Sequence, residues 1–128
     1  MEEQKRQNVV NHSLEYEFVT YEQALALNEL GYDGDYNYTY DIKKELWYGD
    51  IKADGEKYIA SPLKQQVFRW FREKYDLFSY IFPWIRRVGW GYDIPNESSA
   101  VKQTNNNTFT SYEEAENDCI DKLIELVK

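Results

Sequence analysis

Apolar and polar residues change their period several times along this chain, and each change marks an element. Residues 1–13 are polar and predict a flexible N-terminal stretch ahead of a single folded domain over 14–128. Leu14, Tyr16 and Phe18 then alternate with Glu15 and Glu17, the period of a short strand or extended lead-in. Thr20 stands three residues before Gln23, the spacing of a capping box, in which each side chain satisfies a free backbone N–H of the other residue. A helix is predicted from Tyr21 to Leu30, with Gly31 as its stop.

Tyr36, Tyr38, Tyr40 and Ile42 alternate with Asp35, Asn37, Thr39 and Asp41, the clearest strand pattern in the chain. A second strand is predicted over Glu45–Ile51. The Asp54-Gly55 dipeptide predicts a hairpin turn, with Lys57–Ala60 as the returning strand. Ser61-Pro62 reads as an N-cap followed by the favoured first helical residue, opening a helix to about Tyr75. Leu63, Val67, Trp70 and Phe71 supply its apolar face, widened by Phe68 and Tyr75. Phe78–Ile85 is an apolar strand, and Pro83 predicts an edge or a bulge because proline cannot donate to a ladder. Val88, Trp90, Tyr92 and Ile94 alternate as a further strand over 86–94, and residues 95–107 read as a polar, mobile loop. The last helix starts at Thr110 or Ser111. Tyr112, Ala115, Cys119, Ile120, Leu123, Ile124 and Val127 form one stripe along it. Its start, Ser111-Tyr112-Glu113-Glu114-Ala115, echoes Thr20-Tyr21-Glu22-Gln23-Ala24, and shared capping chemistry accounts for that. Together these elements predict an α+β fold: one antiparallel sheet of about four to five strands with three helices packed on it.

Composition narrows the chemistry. The chain has 128 residues, one Cys and one His, which excludes an internal disulfide framework and a zinc site built on His and Cys. No cofactor-binding motif is present, and no apolar run has the length of a membrane span. With a polar N-terminus, a cytosolic location is expected. The net charge of −8 disfavours generic binding to nucleic-acid phosphates or anionic headgroups, although a local basic patch can override the average. The charge also admits a different reading, an acidic mimic of DNA.

Aromatic residues are 17% of the chain, 12 of them Tyr, and such side chains serve either a core or a binding surface. Tyr36, Tyr38, Tyr40, Trp47 and Tyr48 are therefore the candidate interaction surface. Arg69, Arg72, Arg86 and Arg87, with Lys64, Lys74 and interleaved Trp70, Trp84 and Trp90, are the candidate nucleic-acid surface. The opposing expectation places the tryptophans in the core and the arginines in solvent. Asp33 to Asp41 carries carboxylates and amides at alternate positions, as calcium loops do. However, Tyr38 and Lys44 stand where an EF-hand needs Gly and Glu, so a strand explains the pattern better. Gly89-Trp90-Gly91 lacks the rest of a phosphate loop, and its glycines are expected at a bulge or to relieve packing around Trp90. Cys119 lies on an apolar stripe far in sequence from His12, so it reads as core rather than nucleophile. No paired carboxylates stand out, and no enzymatic activity is expected.

Three segments carry a resemblance. They are Tyr21-Glu22-Gln23-Ala24-Leu25-Ala26-Leu27-Asn28-Glu29-Leu30-Gly31-Tyr32, then Ser61-Pro62-Leu63-Lys64-Gln65-Gln66-Val67-Phe68-Arg69-Trp70-Phe71-Arg72-Glu73-Lys74-Tyr75, then Tyr112 to Glu125. In this order the chain resembles a family of small uncharacterised proteins of Bacteroidetes genomes and their phages. That resemblance implies a phage- or mobile-element-associated protein, and with the aromatic excess the expectation is a non-enzymatic module that binds a protein partner.

Overall fold

A computed structural model of the chain describes residues 16–48, 58–85, 88–95 and 108–128, and the backbone of 102–104. The stretch 1–13, the Asp54-Gly55 turn and Arg86 and Arg87 lie outside the described residues. The chain forms two compact units, residues 1–66 and 67–128. Among the described residues, three helices and two small antiparallel sheets confirm the α+β class. In place of the expected single sheet of four to five strands, the described residues form two sheets of three strands each.

In the first unit, Phe18 makes an isolated antiparallel bridge to Leu63. Helix α1 follows, Tyr21–Glu29. Its N-terminus is the expected capping box: Thr20 Oγ accepts from Gln23 N–H at 3.1 Å, and Gln23 Oε1 accepts from Thr20 N–H at 2.9 Å. Gly31 ends it at φ 82°, a conformation only glycine adopts without a steric cost. Gly31 N–H donates to the Asn28 carbonyl and Tyr32 N–H to that of Leu27, which satisfies the last turn.

Strand β1, Tyr38–Tyr40, lies between β2, Leu46–Tyr48, and β3, Ile59–Ser61, antiparallel to both. The expected strand over 36–42 is thus cut to three residues. Asp41 is the cause, because its side chain offers the backbone a turn instead of a ladder. Its Oδ1 accepts from Lys43 N–H at 2.8 Å and Glu45 N–H at 3.0 Å. Lys44, at φ 66°, completes the reversal. The expected β2–β3 hairpin does not pair either: β1 separates the two strands, at the registers Tyr38↔Tyr48 and Tyr38↔Ser61.

Helix α2, Lys64–Tyr75, starts later than Ser61-Pro62 predicted. Ser61 is paired with Tyr38 in the sheet and fully buried, so it cannot act as the cap. Leu63 takes that position, and its N–H donates to Gln66 Oε1 at 2.8 Å.

In the second unit, β5, Trp90–Pro95, lies between β4, Tyr80–Pro83, and β6, Lys102–Thr104. Part of the expected 95–107 loop is therefore strand. Pro83 occupies an outer strand, as its chemistry required. It faces Trp90 in a pair without mutual hydrogen bonds, since Trp90 N–H and C=O are both taken by Phe109 at 2.9 Å. Helix α3, Tyr112–Val127, packs against β5 and β4. Its stripe is as read from the sequence: Ala115, Cys119, Ile120, Leu123 and Ile124 are buried. Burial of the Ile and Leu side chains contributes roughly 1.5–3 kcal/mol each as an upper bound. Ser111 Oγ caps the helix at Glu114 N–H, 3.1 Å away, while the Glu114 carboxylate accepts from Thr110 N–H and Oγ rather than closing a box on Ser111.

Candidate functional site

The register of the first sheet puts Tyr38, Tyr40, Leu46 and Tyr48 on one face and Thr39 and Trp47 on the other. The five predicted surface aromatics therefore do not form one patch. Tyr40 is buried: its hydroxyl donates to the Val19 carbonyl at 2.8 Å and its ring meets Tyr21 edge-on at 5.4 Å. Trp47 is half-buried on the opposite face, its indole N–H donating to Asp41 Oδ2 at 2.9 Å. Tyr48 is 58% exposed and Tyr36 38%, with Tyr38 half-buried. Edge-on ring contacts run from the core outward, Phe18 to Tyr38 at 4.8 Å and Tyr38 to Tyr48 at 5.4 Å. Tyr48 thus stands on an outer strand of the sheet, held by rings reaching to buried Phe18.

Of the basic cluster, Arg86 and Arg87 lie outside the described residues. Arg69 donates to Glu73 Oε2 at 3.2 Å, one helical turn on. Lys74 lies over the Trp70 ring at 5.0 Å, and Trp70 is buried, as the core reading of that residue required. Lys64 is itself buried and offers no surface charge. Arg72 is half-buried.

Along the calcium-like string, the Tyr32 hydroxyl donates to the Asp35 carbonyl at 2.7 Å. Burial, then the charges of Asp35 and Asp33, push that phenol above its ordinary range. Among the described residues no group of three His, Cys, Asp or Glu side chains comes together to hold a metal ion. The Cys119 thiol is pushed up to about 12, by burial first, then against Ser79 by the charges of Asp118 and Glu116. A thiol held so firmly protonated is no nucleophile at neutral pH.

One surface escaped the sequence reading. Trp84 N–H donates to the Gly89 carbonyl at 3.0 Å, between the end of β4 and the start of β5. Ile85 is 96% exposed and Val88 97%. Alternation with Trp90, Tyr92 and Ile94 predicts a strand position for Val88, but the strand starts only at Trp90. Ahead of Ile85, Tyr80, Phe82 and Trp84 share the strand face turned away from Ile81 and its partner Tyr92. Phe82 meets Trp84 edge-on at 5.0 Å, and the Tyr80 hydroxyl donates to Asp93 Oδ2 at 3.0 Å. Gly91 makes room for the Trp84 indole, whose atoms come within 2.8–3.0 Å of where a Cβ would stand. The expected relief around Trp90 is therefore supplied to Trp84.

No protein-family model, curated protein or solved structure matches this chain.

Proposed function

We propose that this protein is a non-enzymatic interaction module that binds a protein partner through the tyrosine edge of its first sheet. The observation that carries the reading is Tyr48, exposed on an outer strand and packed ring to ring on Tyr38, which packs in turn on Phe18. A tyrosine held by its neighbours loses little conformational freedom on binding, while its hydroxyl and ring edge remain available, and this is the chemistry of interface hot spots. Exposed Tyr36 extends the surface. A phage- or mobile-element-associated role fits a small module of this kind.

The test compares capture of partners from host lysate by the wild-type chain and by Tyr48→Ala and Tyr36→Ala. A partner retained by wild type and weakened by about tenfold or more in Tyr48→Ala supports the reading, the size expected when an interface anchor is truncated. Equal capture by all three chains refutes it.

A further inference from the structure

We propose that the open edge of β4 pairs with the same edge of a second copy of this chain, a self-association separate from partner binding at the tyrosine edge. The second sheet runs β4-β5-β6, so one side of β4 has no strand beside it among the described residues. Trp84 N–H donates to the Gly89 carbonyl, and Pro83 faces Trp90 without mutual bonds. The alternation of an antiparallel ladder then directs the N–H and C=O of Tyr80 and Phe82 toward β5 and those of Ile81 outward. Ile81 shows how open this side is: it is half-buried, whereas Tyr92, directly opposite, is 2% exposed. An unpaired row of backbone groups invites another strand, and edges are ordinarily guarded by charge or proline. From Leu77 to Ile85 the sequence holds no charged residue, and Pro83 guards only the far end of β4.

The side chains select the occupant. Phe78-Ser79-Tyr80-Ile81-Phe82 has the same aromatic pattern read from either end, with Tyr80 at its centre. A side-chain hydrogen bond joins Ser79 to Cys119 of α3, and Tyr92, opposite Ile81, bonds Asp118 of the same helix. Ser79 and Ile81 therefore lie on the α3 side, and Phe78, Tyr80 and Phe82 on the other. Phe78 is 41% exposed, Tyr80 47%, and Phe82 is half-buried. A two-fold axis at Tyr80 opposes Ser79 of each chain to Ile81 of the other, and each such pair exchanges both of its backbone hydrogen bonds. The same axis sets Tyr80 against Tyr80 of the second copy and Phe78 against Phe82 of the second copy. These are cross-strand aromatic pairs on one face, which stabilise a sheet. Pro83 fixes the register: an axis at Phe82 would oppose it to Ile81, and an axis at Ile81 would oppose it to Ser79, and in both cases the proline has no N–H to give. Charge permits the pairing. Asp93, whose carboxylate accepts from the Tyr80 hydroxyl at 3.0 Å, sits on β5. It lies three strand spacings from its own copy, about 14 Å, beyond the screening length of about 8 Å at physiological salt.

Sedimentation velocity of the full-length chain, from about 1 µM to about 1 mM, is expected to show a reversible dimer. High salt should strengthen it, because the net charge of −8 opposes association. Tyr80→Lys places like charges across the axis and is expected to raise the dimer Kd about a hundredfold. It should keep its circular dichroism spectrum, because Tyr80 is 47% exposed. Oxidation reads the register. Tyr80→Cys is expected to form a disulfide-linked dimer, since directly opposed residues of an antiparallel pair bring their Cβ atoms within reach of one another. Phe78→Cys and Phe82→Cys are expected to cross-link when mixed and far less when alone. Wild type should stay uncross-linked, because Cys119 is buried. Tyr48→Ala should dimerise like wild type, which separates this proposal from the partner-binding one. A monomer at every concentration overturns the proposal, as does a dimer that Tyr80→Lys leaves intact or one in which Tyr80→Cys fails to cross-link.

Discussion

Asp41 is the side chain on which the first sheet's hairpin turns, and replacing it gives a sharp test. Its carboxylate accepts three hydrogen bonds, from Lys43 N–H at 2.8 Å, Glu45 N–H at 3.0 Å and the Trp47 indole at 2.9 Å. Asp41→Ala removes all three acceptors at once. A hydrogen bond to an ionised group contributes about 1.5–3 kcal/mol, but the two turn amides can turn to water when the carboxylate is gone. Only the indole N–H loses its partner in a more enclosed place. The expected cost is therefore about 2–3 kcal/mol, well below the sum of three full bonds. Asp41→Asn keeps an acceptor oxygen but loses the charge, and about half of that cost is expected. Urea unfolding followed by tryptophan fluorescence measures both, with circular dichroism as a second probe to check that the transition is two-state. The reasoning fails if Asp41→Ala lies within about 0.5 kcal/mol of wild type, the range of an ordinary surface substitution.

The same carboxylate predicts a pH dependence. Partial burial pushes its pKa up, but hydrogen bonds from Glu45 N–H, the Trp47 indole and Lys43 N–H, with the Lys43 charge, outweigh burial and hold it below the usual carboxylate value. A depressed folded-state pKa means that the unfolded chain binds the proton first as pH falls. The stabilisation from Asp41 is therefore complete above the ordinary carboxylate range and lost as pH drops toward the folded value. Wild type should lose stability relative to Asp41→Asn over that acid window, and parallel pH profiles of the two would contradict the assignment. Two glycine substitutions rank by geometry: Gly89→Ala puts a Cβ 2.7 Å from the Phe109 carbonyl oxygen at φ 130°, whereas Gly91→Ala meets the movable Trp84 indole. Both should destabilise the fold, Gly91→Ala by about 1–3 kcal/mol and Gly89→Ala by more; the reverse order of melting temperatures would refute the packing argument. Cys119, buried and with its thiol at about 12, should resist alkylation at pH 8 in the native protein and react once urea unfolds it, a contrast read by mass spectrometry.

Local chemistry explains which elements were legible. The capping box of α1, the Ser111 cap of α3, the glycine stop at Gly31 and the stripe of α3 depend on residues three or four apart, so the sequence alone determined α1 and α3 nearly to their ends. It also put Pro83 on an outer strand, Trp70 and Cys119 in the core, and the whole in the α+β class. Tertiary structure decided what depends on distant partners. Ser61 has every local mark of a helix cap, yet pairing with Tyr38, 23 positions away in the chain, draws it into β3. The Asp54-Gly55 signal named a turn but could not choose between β1 and β2 as the neighbour of β3. For the candidate surfaces, period two correctly grouped Tyr38 and Tyr40 on one face. It could not tell that Val19 and Tyr21 cover Tyr40 while Tyr48, on the same face, reaches solvent. Nor could alternation show that β5 starts only at Trp90 and leaves Val88 outside it, because the hydrogen bond from Trp84 to Gly89 is a property of the paired strands. Periodicity fixes which side chains share a face; exposure depends on what the rest of the chain lays over that face.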